Sequence, residues 1–218
     1  MKGNVFSFLP AKSGSGATVT ALNVAGRLAR VFNRKVLLLE ADIQSGPVAI
    51  MLNIRPDQTV TDALDYSNQL TDAVWSQMVA KVDGLDVLAT SGAKTVWKTS
   101  QFSYFRLLRF ARARYDYVIV DLPGVVEDAA EPLLMNSKGI YVVCTPDVTS
   151  LALARRRLRQ LELQGVLDTV VHVVRAQDRR RAPQRLPPIA GGHPIQWFCR
   201  SGFETRKSLR ILCRGPSG

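Results

Sequence analysis

Cysteine, histidine and long apolar runs are all scarce in this chain. Its three cysteines, Cys144, Cys199 and Cys213, have neither metal-ligand spacing nor the even count of a disulfide framework, so a reducing compartment is expected. His172 and His193 stand apart, also without ligand spacing. No stretch reaches the roughly 18 apolar residues that would suggest a membrane-spanning helix. The opening run Val5-Phe6-Ser7-Phe8-Leu9 is apolar but stops at Pro10 and a Gly/Ser turn, so it reads as a first strand and not as a secretory leader. No internal repeat is visible. These absences leave a cytoplasmic globular protein as the expectation.

The 218 residues suffice for one well-cored domain and are few for two, and 46% apolar with 22% charged content is ordinary for a soluble fold. The net charge of +11 is unevenly spread. Residues 1–154 carry 15 Lys and Arg against 14 Asp and Glu, whereas residues 155–218 carry 14 against 4. Basic character therefore belongs to the C-terminal third.

Apolar runs alternate with helical patterns along most of the chain. Lys35–Glu40, Gly84–Leu88, Tyr115–Asp121, Gly139–Cys144 and Val170–Val174 read as strands. Their near-continuous apolar character fits parallel strands covered on both faces. Thr18–Phe32, Thr61–Tyr66, Thr71–Val79, Phe102–Ala113 and Ser150–Leu163 read as helices, with Thr61 and Thr71 as caps. Phe102, Tyr104 and Phe105 are expected to pack just ahead of an apolar helix, and Cys144 to lie in the core. The expected fold class is α/β, a mostly parallel open sheet flanked by helices. Arg175–Gly192 reads as an irregular connection, and Pro194–Phe198 as a candidate edge strand.

The informative segment is Pro10-Ala11-Lys12-Ser13-Gly14-Ser15-Gly16-Ala17-Thr18, between the first strand and the first helix. Backbone N–H groups converge there on a helix N-terminus, which suits an anion such as phosphate. Gly14 and Gly16 let the backbone curl, and Thr18 stands where a loop hydroxyl ligates Mg²⁺. A plain Gly/Ser turn is the alternative reading of the loop alone. Asp42 follows the second strand, and Asp121 ends the strand Tyr117–Val120, where a carboxylate suits a metal held through water. Asp42 by itself reads more readily as a turn residue than as a site residue.

The order and spacing of these segments resemble the ParA/MinD family, whose deviant Walker A loop has one lysine before the glycines and one after. Lys12, Gly14, Gly16 and Thr18 match that loop, while Ser13 replaces a glycine and Ala17 replaces the second lysine. Leu22-Asn23-Val24-Ala25 resembles the helix that follows. Glu40-Ala41-Asp42 resembles the family's D-x-D with Glu40 in place of the first Asp, and Asp121-Leu122-Pro123-Gly124 resembles its switch II. The G-x-G-A-T loop and Ile43–Ala49 are similar to the CpaE/TadZ-type pilus-assembly branch, without that branch's receiver-like domain. Thinner likeness continues through Gly192–Trp197 and Phe203–Arg210.

The resemblance implies a P-loop NTPase-like α/β nucleotide-binding domain over residues 1–175 and a basic, Pro/Gly/Arg-rich segment over 176–218, either the end of that domain or partly irregular. It implies ATP and Mg²⁺ as cofactors, held by Lys12, Ser13, Gly14, Ser15, Gly16, Ala17 and Thr18, with Pro146, followed by Asp147, lining the base pocket. Thr18 and Asp121 would serve the metal; Lys12 and Asp42 would be catalytic. Arg175 stands where many relatives read adenine with Asn, which loosens base identity. The implied function is positioning or assembly of a pilus or secretion machine through a nucleotide-dependent homodimer, possessing at most weak ATPase activity because Ala17 lacks the lysine charge. The implied place is the cytoplasm, with recruitment to a cell pole or membrane by partners. A non-catalytic scaffold of the same fold is the first alternative. The second is a partitioning ATPase that binds DNA nonspecifically through Arg155, Arg156, Arg157 and Arg159, with Arg179–Arg181 either adding to that field or forming a tether.

Overall fold

The computed structural model describes residues 3–44, 46–90, 100–166, 170–175 and 196–199, the last two stretches as backbone. The sequence readings of Arg175–Gly192, Arg179–Arg181, His193 and Phe203–Arg210 fall largely or wholly outside these residues.

The chain opens with β1 (Asn4–Pro10), the glycine loop and α1 (Ala17–Arg30). Next come β2 (Val36–Glu40), the short helices α2 (Val48–Met51), α3 (Val60–Asp65) and α4 (Asp72–Met78), and the hairpin of β3 (Ala80–Val82) and β4 (Leu85–Leu88). Helix α5 (Gln101–Arg112) leads into β5 (Tyr117–Asp121), and a 3₁₀ turn precedes α6 (Glu131–Met135). Strand β6 (Gly139–Cys144), α7 (Val148–Leu163), β7 (Val170–Arg175) and β8 (Gln196–Cys199) complete the order.

These strands form one eight-stranded sheet in the order β3-β4-β2-β5-β1-β6-β7-β8. All pairs are parallel except β3 with β4. The sequence pattern locates the parallel strands but not β3. Its antiparallel pairing follows from a tight turn in which Asp83 and Gly84 both adopt positive φ. Short α2 and α6 also escape the pattern, because four or five residues are too few to show a helical period.

Alternation along the central strands sends side chains to two cores. Leu37, Leu39, Val118 and Val120 pack beneath α3 to α7, while Leu38, Ile119 and Phe8 pack beneath α1. On the larger face, Trp75 Nε1 donates to Tyr115 Oη at 2.8 Å, and that hydroxyl donates to Asp86 at 2.7 Å. The buried indole and phenol are thereby satisfied, as their burial requires. Cys144 is fully buried, as expected.

Three helix starts differ from the sequence reading. Thr59, not Thr61, caps α3 through a capping box with Asp62. Ser100 caps α5 and brings Phe102, Tyr104 and Phe105 inside the helix, where only Tyr104 is buried. Asp147 caps α7 ahead of Ser150. Each shift reflects a side-chain oxygen that satisfies an otherwise unpaired N–H of the first turn.

Candidate nucleotide site at the strand ends

Strand β1 is flanked by β5 and β6, so the loop after it emerges at the carboxyl edge in the middle of the sheet. Gly14 and Gly16 adopt φ of +76° and +87°, values that a side chain would strain. Gly16 is the N-cap of α1, where no side-chain oxygen caps the helix and no acidic residue occupies the first turn. A 14-residue helix thus points an uncompensated positive end at the loop. Ser13 is exposed, Ser15 is buried, and Ala17 lies 5% exposed in the smaller core.

Asp121 sits in register with Phe8 on one side and Glu40 on the other, which turns both carboxylates toward the α1 face of the sheet. The Thr18 side chain lies close enough to Asp121 to favour its ionised form. Asp121 Oδ1 and Ser15 Oγ are both buried, and neither has a hydrogen-bond partner among the described residues. Buried polar atoms are rarely left unsatisfied, so these two point to a ligand with donors and positive charge. Burial raises the Asp121 pKa to about 7, offset in part by Thr18 and reinforced by the negative charge of Asp42. A hydroxyl and a carboxylate converging beside a helix N-terminus fit a hydrated Mg²⁺ and a phosphate chain.

The two carboxylates after β2 have different tasks. Asp42 is half-buried, and its charge acts on both Glu40 and Asp121. Glu40 is fully buried and accepts from the Val48 N–H at 2.7 Å and the Thr90 N–H at 2.8 Å. It ties the end of β2 to α2 and to the segment after β4. Burial, opposed by those two hydrogen bonds, raises its pKa to about 7. The longer Glu reaches both amides, which gives the departure from D-x-D a structural reason. Gly46 closes over it: a Cβ there would lie 2.3 Å from Glu40 Cδ.

Lys12 does not point toward Asp121. Its Nζ lies 3.1 Å from Asp147 Oδ2 and 3.2 Å from Oδ1. Asp147 also accepts from Thr145 Oγ1 and from the Ser150 N–H at 2.9 Å. The Thr145 hydroxyl first, then the Ser150 amide and Lys12, hold its carboxyl down at about 2. Pro146 stands half-buried between them. On the same helix Arg157 donates to the Gly124 carbonyl of the loop after β5. Helix α7 is therefore tied at its first residue to the glycine loop and farther along to the Asp121 loop. The sequence reading places Pro146-Asp147 at the base pocket but misses the pairing of Asp147 with Lys12; the D-x-x-S spacing before a helix is the signature of its capping role. It also misses the structural task of Glu40, which no local pattern announces.

The structure brings Lys12, Ser13, Gly14, Ser15, Gly16, Ala17, Thr18, Asp42, Asp121 and Pro146 to one sheet edge. Fold, glycine loop and hydroxyl–carboxylate pair define the class: an α/β P-loop protein. Residues 3–163 match the AAA_31 family model, described as an AAA domain, and the chain belongs to that family. An ATP-binding protein of Methanocaldococcus jannaschii is 26% identical over 168 residues, covering 77% of this chain and 58% of that one. The septum site-determining protein MinD of Helicobacter pylori is 28% identical over 149 residues, covering 67% and 54%. The chain thus spans little more than half the length of these relatives. A ParA family ATPase from Chlorobium tepidum shares the fold with a TM-score of 0.73 at 22% identity, over 82% of this chain and 75% of that one.

Proposed function

We propose that this protein binds ATP with Mg²⁺ at the β1–α1 loop and uses the nucleotide to form a homodimer that positions or assembles a pilus or secretion machine. The supporting observation is the pair of orphaned buried oxygens, Asp121 Oδ1 and Ser15 Oγ, beside the uncapped N-terminus of α1. Backbone amides from Ser13 to Thr18 would face the phosphates, and Thr18 and Asp121 would hold the metal. Mg²⁺, when bound, neutralises charge on the phosphate oxygens. Asp42 would orient water near the switch loops, and Pro146 would border the base.

Ala17 removes the cation that ordinarily follows the second glycine, so hydrolysis is weak or absent in this reading. The remaining loop lysine, Lys12, is neutralised within its own chain by Asp147. To serve a partner's nucleotide it has to leave that carboxylate, so dimer formation competes with an intramolecular ion pair. Ala17 also favours the second reading, a scaffold that keeps the fold without turnover.

Calorimetric titration with ATP–Mg²⁺, followed by phosphate release from the same sample, tests the proposal. Binding with slow release is expected, and Ala17→Lys should hydrolyse faster. Lys12→Ala should weaken nucleotide-dependent dimerisation more than monomer binding. No binding at millimolar ATP would leave the scaffold reading.

A further inference from the structure

The outward face of α5 has no task in the nucleotide site. Phe102, Phe105, Arg106, Arg109 and Ala113 recur at three- and four-residue intervals and share one stripe. Phe102 is 73% exposed and Phe105 45%, unusual for rings on a helix that packs its other face into the core. The second half of the stripe borders a groove of about 520 Å³ between α5 and the turn that follows α3. Leu70 and Phe110, both partly buried, give the groove an apolar lining. Arg106, Arg109 and Arg114 surround them.

The three arginines are unequally compensated. The Arg114 guanidinium lies 3.4 Å over the Phe110 ring and is paired with Asp72 at 2.6 Å. Among the described residues, Arg106 bonds only the neutral Asn68 amide, and Arg109 has no hydrogen-bond or ion-pair partner. Part of this charge offsets the negative end of the α5 dipole, since Arg109 lies in the last turn. The dipole accounts for neither the apolar lining nor the two exposed rings one and two turns away. The stripe ends in the small Ala113, whose methyl group leaves room at that end of the groove.

We propose that this groove docks an acidic segment of a partner protein, with carboxylates on Arg106 and Arg109 and an apolar side chain between Leu70 and Phe110. Charge complementarity selects the occupant. All three cations are arginines, whose planar forks pair with carboxylates in a bidentate way. Aromatic and arginine side chains around a small pocket are the composition of protein-interface anchors. A nucleic acid backbone favours a longer cationic track than this groove offers. Ala113 and Arg114 lead directly into β5, so the groove lies toward the strand edge opposite Asp121. Docking there requires no nucleotide.

The test uses the full chain and a short fluorescein-labelled peptide alternating glutamate with leucine, read by fluorescence anisotropy. Arg106→Glu with Arg109→Glu should weaken binding by about tenfold or more, while the charge-matched pair Arg155→Glu with Arg156→Glu should change it less than about twofold. Arg109→Ser alone, at an exposed position with no partner among the described residues, should weaken binding without touching the fold. Replacing the peptide's leucines with serine should also weaken it. The proposal is overturned if the wild-type protein does not bind the peptide, or if both double variants lose binding equally, which would mean attraction by net charge alone. It is also overturned if a single-stranded oligonucleotide binds more tightly than the peptide and loses affinity in the α5 variants.

Discussion

The two strand edges of this molecule handle charge in opposite ways. At the carboxyl edge, Glu40 and Asp121 are buried carboxylates whose proton affinity is raised, and Asp42 adds further negative charge beside them. The cation nearest the glycine loop, Lys12, is already paired with Asp147. At the opposite edge, arginines stand exposed around a small groove, with one of them unpaired among the described residues. Buried charge is costly unless it is matched. The carboxyl edge thus stores a demand for an incoming cation, whereas the groove offers solvated charge to an incoming anion at little cost to the fold. The first arrangement suits a tightly held metal and phosphate; the second suits a partner that comes and goes.

The largest way to break the carboxyl edge is to fill the space over Glu40. Gly46→Ala puts a methyl group onto the Glu40 carboxylate and the Asp42 carbonyl, with expected destabilisation of about 3 kcal/mol. A lower urea midpoint at unchanged m-value is the measurement. Glu40→Asp in that background shortens the clashing side chain, so the double variant should lose less than the sum of the two singles.

Asp121→Asn tests the metal demand directly. ATP affinity in Mg²⁺ should fall by roughly tenfold to a hundredfold, about 1.4–2.8 kcal/mol, with a smaller change in EDTA. Equal losses with and without the metal would detach Asp121 from metal binding. The Arg106→Glu, Arg109→Glu protein should titrate like wild type in the same experiment.

Proton affinity also separates the edges. Glu40 and Asp121 bind protons more tightly in the folded chain than in the unfolded one, with pKa raised from the ordinary carboxylate range to about 7. Their contribution to metal-free stability is greatest at low pH and declines as pH rises from about 4 to about 7, at up to roughly 1.4 kcal/mol per unit for each group. Urea unfolding in EDTA across that range should show the decline, and Asp121→Asn should remove its share. Metal binding runs the other way, because Mg²⁺ needs the ionised carboxylate and should release a proton on binding below pH 7.

Most of this fold is written in patterns that a sequence displays. The unbroken apolar runs of β2, β5 and β6 announce buried parallel strands, and the glycine loop between β1 and α1 announces a phosphate-type turn. The helix starts are harder to place to within two or three residues, because Thr59, Ser100 and Asp147 act through side-chain oxygens that local propensity does not rank. Less legible still are contacts across long separations. Glu40 reaches Thr90 over 50 residues, and Lys12 reaches Asp147 over 135. Nothing local at Lys12 says that its charge is spent within the chain, nor that Phe102 and Phe105 would face outward.

The smallest expected effect is the sharpest test that the two edges are independent. Arg109 is exposed and unpaired among the described residues, so Arg109→Ser removes no contact that supports the fold. Its removal takes one cation from the last turn of α5, where the dipole term is worth about 0.3–1 kcal/mol at low ionic strength and less in salt. Stability should therefore fall by no more than about 0.5 kcal/mol at physiological salt, and ATP–Mg²⁺ affinity should remain unchanged. A larger loss of stability would place Arg109 in the structural framework. A change in nucleotide affinity would mean that α5 transmits strain along β5 to Asp121, joining two edges that the charge pattern keeps apart.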